Sequence, residues 1–533
     1  MAMSIVSLKF SVFLAAVFAL YFAVPIKYRW TVLLAASWVF YWINSGWLTA
    51  VLVLDIGITF FFRRWIGRIY EKGEAEISND ALTKKEKKAA KARIKNRGKH
   101  VMTAGILLNL AMLLVLKYSN FFASSANSVL GKFGAGFQLP MLNLLLPLGI
   151  SFYTLQAIAY LTDIYRQKIK ADTSFFKFAL FMSFFPQIIQ GPIPRYHQLA
   201  GQLAEGHTFD YDRFTRGIQL ILWGMMKKLI IADRLAIPVA ELFDNYGKYH
   251  GMVLFFAAAL YGIQVYTDFS GGIDIARGIS QAVGVNLELN FRQPYFSTSV
   301  EDFWRRWHIT LGSWMKDYVF YPLSLSKTFV AIGKKSRKVL GQFIGKRLPS
   351  FLAMFIVYFL VGFWHGPSWK YIAYGLWNGI FIVAGILLTD VYGRIRSALR
   401  IRDDAFSWKV FQMCRTFVII SLGRFFSRAD GFRAALTMMR RMLVSWQSPA
   451  FLLDGTMAKL GLSSANWMLI LVSLLVLLIV GILHERGIEI RNGIAAQPLI
   501  FRWALYLSAI VILLIFGMYG PEYDSASFIY GKF

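Results

Sequence analysis

The chain has 533 residues, 57% of them hydrophobic and 16% charged, with a mean hydropathy of +0.50. Soluble domains carry about a quarter charged residues, so a soluble globular protein is excluded. The net charge of +29 comes from short Lys/Arg clusters between apolar runs, which is the positive-inside pattern of a multi-span membrane protein and not a compact nucleic-acid-binding domain.

An aromatic content of 17%, with 16 Trp, fits side chains gathered at bilayer interfaces and along internal passages. A single cysteine, Cys414, excludes an intramolecular disulfide and argues against a cysteine-based metal site.

Apolar runs near 5–24, 30–43, 47–62, 101–118, 144–163, 175–190, 214–231, 251–267, 350–364, 370–389, 407–426, 465–483 and 501–518 are candidates to cross a bilayer. A spanning helix needs about 17–25 residues, and several of these runs are short or interrupted by Gly and Pro. Interrupted backbone is tolerated at membrane depth where it is buried in protein or lines a wet cavity. The expectation is an all-α integral membrane protein with about 11 transmembrane helices plus re-entrant segments.

The first run, Ile5 to Val24, lacks a strong basic n-region and a clear cleavage site, so it reads as a retained span. The loop 63–100, with Lys84, Lys85, Lys87, Lys88, Lys91, Arg93, Lys95 and Arg97, is expected to be cytoplasmic. It reads as a charged helix with Ser78 or Asn79 as its cap. Arg424 to Arg441 disturbs the counting of spans and reads as an interfacial helix. Residues 1–533 are expected to form a single polytopic membrane domain: the basic loop, a motif-bearing core over 144–390, and C-terminal helices over 391–533.

Ionisable residues in membrane segments are costly and mark functional sites by default. Three stretches concentrate them. In Tyr266-Thr-Asp268-Phe-Ser270-Gly-Gly-Ile-Asp274, two carboxylates and a hydroxyl accompany a Gly pair that permits a helix break or a close backbone approach. The carboxylates need partners, and the stretch reads as a wall of an internal polar cavity.

The second stretch runs from Asn290-Phe-Arg292-Gln293-Pro-Tyr295 into Val300-Glu-Asp-Phe-Trp304-Arg305-Arg306-Trp307-His308-Ile-Thr310-Leu311. On one helix, Trp304, Trp307, His308 and Leu311 share a face, with Arg305 near the opposite side. The third, Gly362-Phe-Trp364-His365-Gly366-Pro367-Ser368, ends an apolar span on a histidine followed by a helix stop.

Acyl transfer from a thioester to a hydroxyl needs a base or a nucleophile, and donors for the oxyanion. Neutral imidazole suits the base role. Of the seven histidines, His100, His197, His207, His250 and His484 lie in or beside polar loops, which leaves His308 and His365. Lone buried histidines are commonly packing residues, so on these grounds alone their role stays open.

The sequence resembles the membrane-bound O-acyltransferases (MBOAT), in particular the bacterial branch that holds the membrane subunit of alginate O-acetyltransferase. The resemblance is carried by Leu146 to Thr154 continuing to Asp163-Ile-Tyr-Arg166, Phe184-Phe-Pro-Gln-Ile-Ile-Gln-Gly-Pro192, Gly224-Met-Met-Lys227-Lys228 with Ile231-Ala-Asp233, Asp268-Phe-Ser-Gly271, Trp304 to Leu311, and Trp364-His365-Gly366. It runs from near Pro25 to Phe528-Ile-Tyr530, with departures at Gln190 and at the tail Ile529 to Phe533.

The resemblance implies a ring of helices around a funnel, with His365 as the catalytic histidine and His308 accompanying it. Asp268, Ser270, Asp274, Asn290, Gln293, Trp304, Arg305, Arg306, Trp307, Trp364 and Gly366 would line the tunnel or bind substrate. It implies no bound metal or cofactor, and acetyl-CoA as the cytosolic acyl donor. An extracytoplasmic polysaccharide would be O-acetylated with the help of an extracytoplasmic SGNH-type transferase partner, at the plasma or inner membrane. D-alanyl transfer to teichoic acid is the alternative within the same fold. A proton-coupled transporter using Asp268, Asp274 and the histidines is the alternative from another class, although the chain shows no repeated halves.

Overall fold

The computed structural model describes residues 3–78, 82–134, 136–170, 174–188, 190–444, 449–452 and 454–519. Asn79, and the tail residues counted in the resemblance, lie outside them. The regular structure of the described residues is helical, without strands; a single antiparallel bridge joins Phe291 and Trp307. Eight helical segments among them are long and apolar enough to cross a membrane. The chain is a multi-pass, all-α membrane protein. It divides into two compact units, Met1–Gly217 with Ile279–Glu288, and Ile218–Gly278 with Leu289–Phe533.

The first unit is built on two long antiparallel helices, Thr49–Ile77 and Lys84–Leu113. The second begins with a capping box. The Thr83 hydroxyl accepts from the Glu86 backbone N–H, and the Glu86 carboxylate accepts from the Thr83 N–H, satisfying two of the amides that a helix start leaves open. Thr83, not Ser78, is therefore the cap; Ser78 instead closes the preceding helix. Asp55, Thr59 and Arg63 are buried at four-residue intervals on one face of Thr49–Ile77, and the Asn109 amide donates to the Thr59 hydroxyl at 3.3 Å. Ile150–Tyr165, which carries the first family string, is buried on every side along nearly its whole length. That is the mark of an interior helix.

The second unit places Lys327–His365 against Trp369–Leu387. Gly362 faces the Tyr371 carbonyl and Gly375 faces the Tyr358 carbonyl, so the two backbones pack with no side chain between them. Small residues serve this purpose in membrane helix pairs, where van der Waals packing replaces the hydrophobic drive. A second close approach joins the end of helix Tyr211–Met225 to helix Met252–Ala282. A Cβ on Gly224 would stand 2.5 Å from the Gly271 carbonyl oxygen. The Gly271-Gly272 pair thus serves close approach and not a break, because Met252–Ala282 runs through it as one helix.

Gly224→Val is expected to cost stability through overpacking, by about 1–3 kcal/mol. Thermal unfolding of the detergent-solubilised protein, followed by fluorescence-detected size exclusion, checks this; an unchanged midpoint would show that the crossing tolerates a side chain.

Candidate active site

The second stretch does not form one continuous helix. Asn290 to Arg292 pairs with Arg306 to Ile309 through the bridge between Phe291 and Trp307. The Arg292 N–H donates to the Arg306 carbonyl at 3.0 Å, and the Ile309 N–H to the Asn290 carbonyl at 3.0 Å. These backbone groups are therefore unavailable to a helical ladder. Val300–Arg306 ends, Trp307 is extended, His308 adopts a left-handed conformation (φ 47°, ψ 50°), and Ile309–Met315 begins. The shared helical face expected from the spacing is absent for this reason.

A left-handed histidine is sparsely populated and persists where its surroundings over-determine it. Here the Asn290 Oδ1 atom accepts from the Thr310 N–H at 3.0 Å and the Thr310 hydroxyl at 2.9 Å, and lies 3.3 Å from His308 Nδ1. The imidazole meets Phe269 edge-on at 4.9 Å and Trp364 at 5.6 Å. His308 is 1% exposed and sits in the link between two short helices, outside the eight candidate spans. Burial first, and then the nearby His365, hold its imidazole well below its ordinary pKa, which favours the neutral ring.

His365 is the last residue of Lys327–His365. Its ring lies 5.1 Å from the Trp364 indole and 5.9 Å from the Tyr374 ring. The Trp364 indole thus touches both imidazoles, which arrive from separate elements. Gly366 follows directly, and the Tyr371 ring occupies the space a Cβ there would need, at 2.6 Å.

Arg424 completes this neighbourhood, and the stretch Arg424 to Arg441, expected as one interfacial helix, is divided between two helices. Arg424 is 3% exposed and belongs to Phe406–Arg428, while the separate helix Phe432–Val444 follows. It donates to the Tyr374 hydroxyl at 3.0 Å and stands 4.8 Å over the Trp307 ring. Neither Arg424, Tyr374 nor Asn378 was among the expected site residues. The available signal was a cation inside the apolar run 407–426, beside the small residues Ser421 and Gly423.

The remaining candidates divide. Trp307 is buried, stacked on Phe303 at 5.3 Å. The Trp304 indole N–H donates to Asn378 Oδ1 at 3.1 Å, which ties Val300–Arg306 to Trp369–Leu387. Arg305 points outward and pairs with Glu301. Arg306 bridges Asp302 at 3.2 Å and Glu485 at 2.5 Å, and Gln293 meets His484 at 3.1 Å. These last three contact partners other than the two central histidines.

Asp268, Ser270 and Asp274 engage two adjacent lysines. The π-helical turn Met226–Ala232 presents Lys227 to Ser270 at 2.9 Å and to Asp274 at 2.6 Å. It presents Lys228 to Asp268 and Asp233, each at 2.7 Å, and Arg277 adds a contact to Asp274 at 3.5 Å. Phe269, whose ring packs on His308, lies between Asp268 and Ser270. The ion pairs therefore hold the wall of the site.

Removing one partner from a buried pair leaves an uncompensated charge and costs about 3–5 kcal/mol. Lys228→Met is expected to lower thermal stability sharply, and the Lys228→Met/Asp268→Leu double variant to recover part of the loss. Additive losses in a double-mutant cycle would refute the coupling.

The family model of MBOAT, the membrane-bound O-acyltransferase family, matches residues 150–427, a span that holds both histidines, Trp364 and Arg424. The probable alginate O-acetylase AlgI of Pseudomonas syringae pv. tomato is 30% identical over 437 residues, covering 82% of this chain and 74% of that protein. The peptidoglycan O-acetyltransferase of Helicobacter pylori is 30% identical over 365 residues, 64% of each chain. A teichoic acid D-alanyltransferase of Streptococcus thermophilus is 27% identical over 258 residues, 47% of this chain and 59% of that one. The chain belongs to the membrane-bound O-acyltransferase family.

Proposed function

We propose that this enzyme moves an acetyl group from cytosolic acetyl-CoA toward the hydroxyls of an extracytoplasmic polysaccharide, with His365 as the reacting histidine and His308 as its partner. The observation that carries the reading is the convergence of two buried imidazoles, from separate elements, on the Trp364 indole. A neutral imidazole can accept the proton of an attacking hydroxyl, or carry the acyl group between donor and acceptor. The two O-acetylating relatives support acetyl as the group, and the D-alanyl relative matches a smaller part of this chain.

In the net reaction the carbonyl–sulfur bond of the thioester breaks and a carbonyl–oxygen bond forms. The hydroxyl proton goes to an imidazole, and the CoA thiolate leaves and takes up a proton. With donor and acceptor on opposite sides of the membrane, each acetyl group carried outward is matched by one proton carried inward. An imidazole of the pair suits the first step of that return path, because a neutral ring can take up the hydroxyl proton and hand it on.

Passing the group to a polymer is assigned to an extracytoplasmic partner of SGNH type, as the resemblance to the alginate branch implies. Purified chain in liposomes, supplied with acetyl-CoA and polysaccharide, is expected to need that partner; acetylated polymer formed without it would remove the partner from the scheme.

His365→Ala is expected to abolish acetylation while leaving expression and membrane insertion intact. Mass spectrometry of surface polysaccharide checks both activity and group identity. A fully active variant defeats the assignment, and a D-alanyl mass increment replaces acetyl with the alternative group.

A further inference from the structure

We propose that Asn290 is a positioning residue that fixes the proton of His308 on Nδ1 and presents Nε2 as the basic nitrogen of the site. The inference starts from the identity of the Asn290 side-chain atoms. A backbone N–H can only donate. The atom facing the Thr310 N–H at 3.0 Å must therefore be the amide oxygen, and the Thr310 hydroxyl at 2.9 Å donates to the same atom. Reversing the amide would set an NH2 group against that N–H. The Asn290 nitrogen is buried without a hydrogen-bond partner among the described residues, so it is the oxygen's bonds that orient the group.

An oxygen so assigned offers only lone pairs. His308 Nδ1, 3.3 Å away, can bond to it only as a donor. In a neutral imidazole the other nitrogen, Nε2, then carries the lone pair. Which ring nitrogen is basic is set by the hydrogen bond that the other one makes, and Asn290 makes that bond.

The same residue acts through its backbone. Its carbonyl accepts the Ile309 N–H at 3.0 Å, so Asn290 grips the residues on the C-terminal side of His308 with its main chain and its side chain together. This grip keeps the ring in its left-handed backbone position between Phe269 and Trp364. Asn290 is fully buried, and its oxygen is already committed to three donors. It therefore shapes the reaction through His308 and not by holding substrate with that oxygen.

The proposal rests on the acyl-transfer reading for its consequence in rate, but the tautomer is measurable apart from activity. The experiment uses full-length protein with 15N-labelled histidine in nanodiscs, with the His308 signals identified by their loss in His308→Gln. Alongside it, transfer of labelled acetyl from acetyl-CoA to polysaccharide is followed in membrane vesicles of the native host, normalised to folded protein.

The wild type is expected to show His308 protonated on Nδ1. Asn290→Ala should shift the proton toward Nε2 and lower kcat by about 10–100-fold, with KM for acetyl-CoA changing less than about threefold. Asn290→Asp keeps an acceptor at the same place and should keep the Nδ1 proton and recover most of the rate. Wild-type His308 protonated on Nε2 overturns the proposal even if no variant folds. So does Asn290→Ala with wild-type kcat, or an inactive Asn290→Ala with an unchanged tautomer. His365→Ala separates the two readings: activity retained there sinks the acyl-transfer assignment, whereas its loss beside an unaffected Asn290→Ala sinks only the role of Asn290.

Discussion

The pairing of Asn290 to Arg292 with Arg306 to Ile309 is the constraint on which the site depends. The seven-residue helix Val300–Arg306 precedes the link at His308, and Ile309–Met315, which runs on into the π-helical turn Lys316–Phe320, follows it. A helix as short as the first is marginal outside a packed protein and could not orient a side chain unaided. Backbone hydrogen bonds across the link convert their junction into a rigid turn. His308 is placed by that turn, and the strain of its left-handed backbone is tolerable because the surrounding amides have no better arrangement.

Around this turn the protein supplies two kinds of support. Aromatic rings surround the imidazoles: Phe269 and Trp364 meet His308 edge-on, and Trp364 and Tyr374 meet His365. Behind Phe269 stands a set of buried charges, with Lys227 and Lys228 facing Asp233, Asp268 and Asp274. Such charges would be prohibitive singly. Interleaved, they lock the π-helical turn against Met252–Ala282 and keep the aromatic wall in register with His308. Arg424 performs a related task from the other side, joining Trp307 to Tyr374.

Much of this was legible in the residues. The membrane class followed from composition and charge clustering, and the two histidines stood out because they alone sat among apolar, aromatic neighbours. The pairing of carboxylates was anticipated for Asp268 and Asp274, since bare charges at depth need partners, but the lysines that answer them lie some forty residues away and only the fold brings them close. The helical reading of Trp304 to Leu311 went astray for a similar reason. Periodicity describes a segment by itself, and here a strand-like partner a short way back in the chain takes its hydrogen bonds. Arg424 was misplaced because a cation between apolar residues looks alike at a membrane surface and in a protein interior. The cap at Thr83 was missed in favour of Ser78 or Asn79, although Thr83 and Glu86 have the spacing of a capping box.

The antiparallel helices Thr49–Ile77 and Lys84–Leu113 have a consequence beyond the site. With 29 and 30 residues they rise about 44 Å, well past the hydrocarbon thickness of about 30 Å. Part of each helix must therefore lie beyond that core, and the lysine-dense first turns of Lys84–Leu113 are the part whose charges belong in water. A probe or tag attached near Thr83 would ride on a helix pair anchored within the first unit by buried side chains such as Asp55, Thr59 and Arg63.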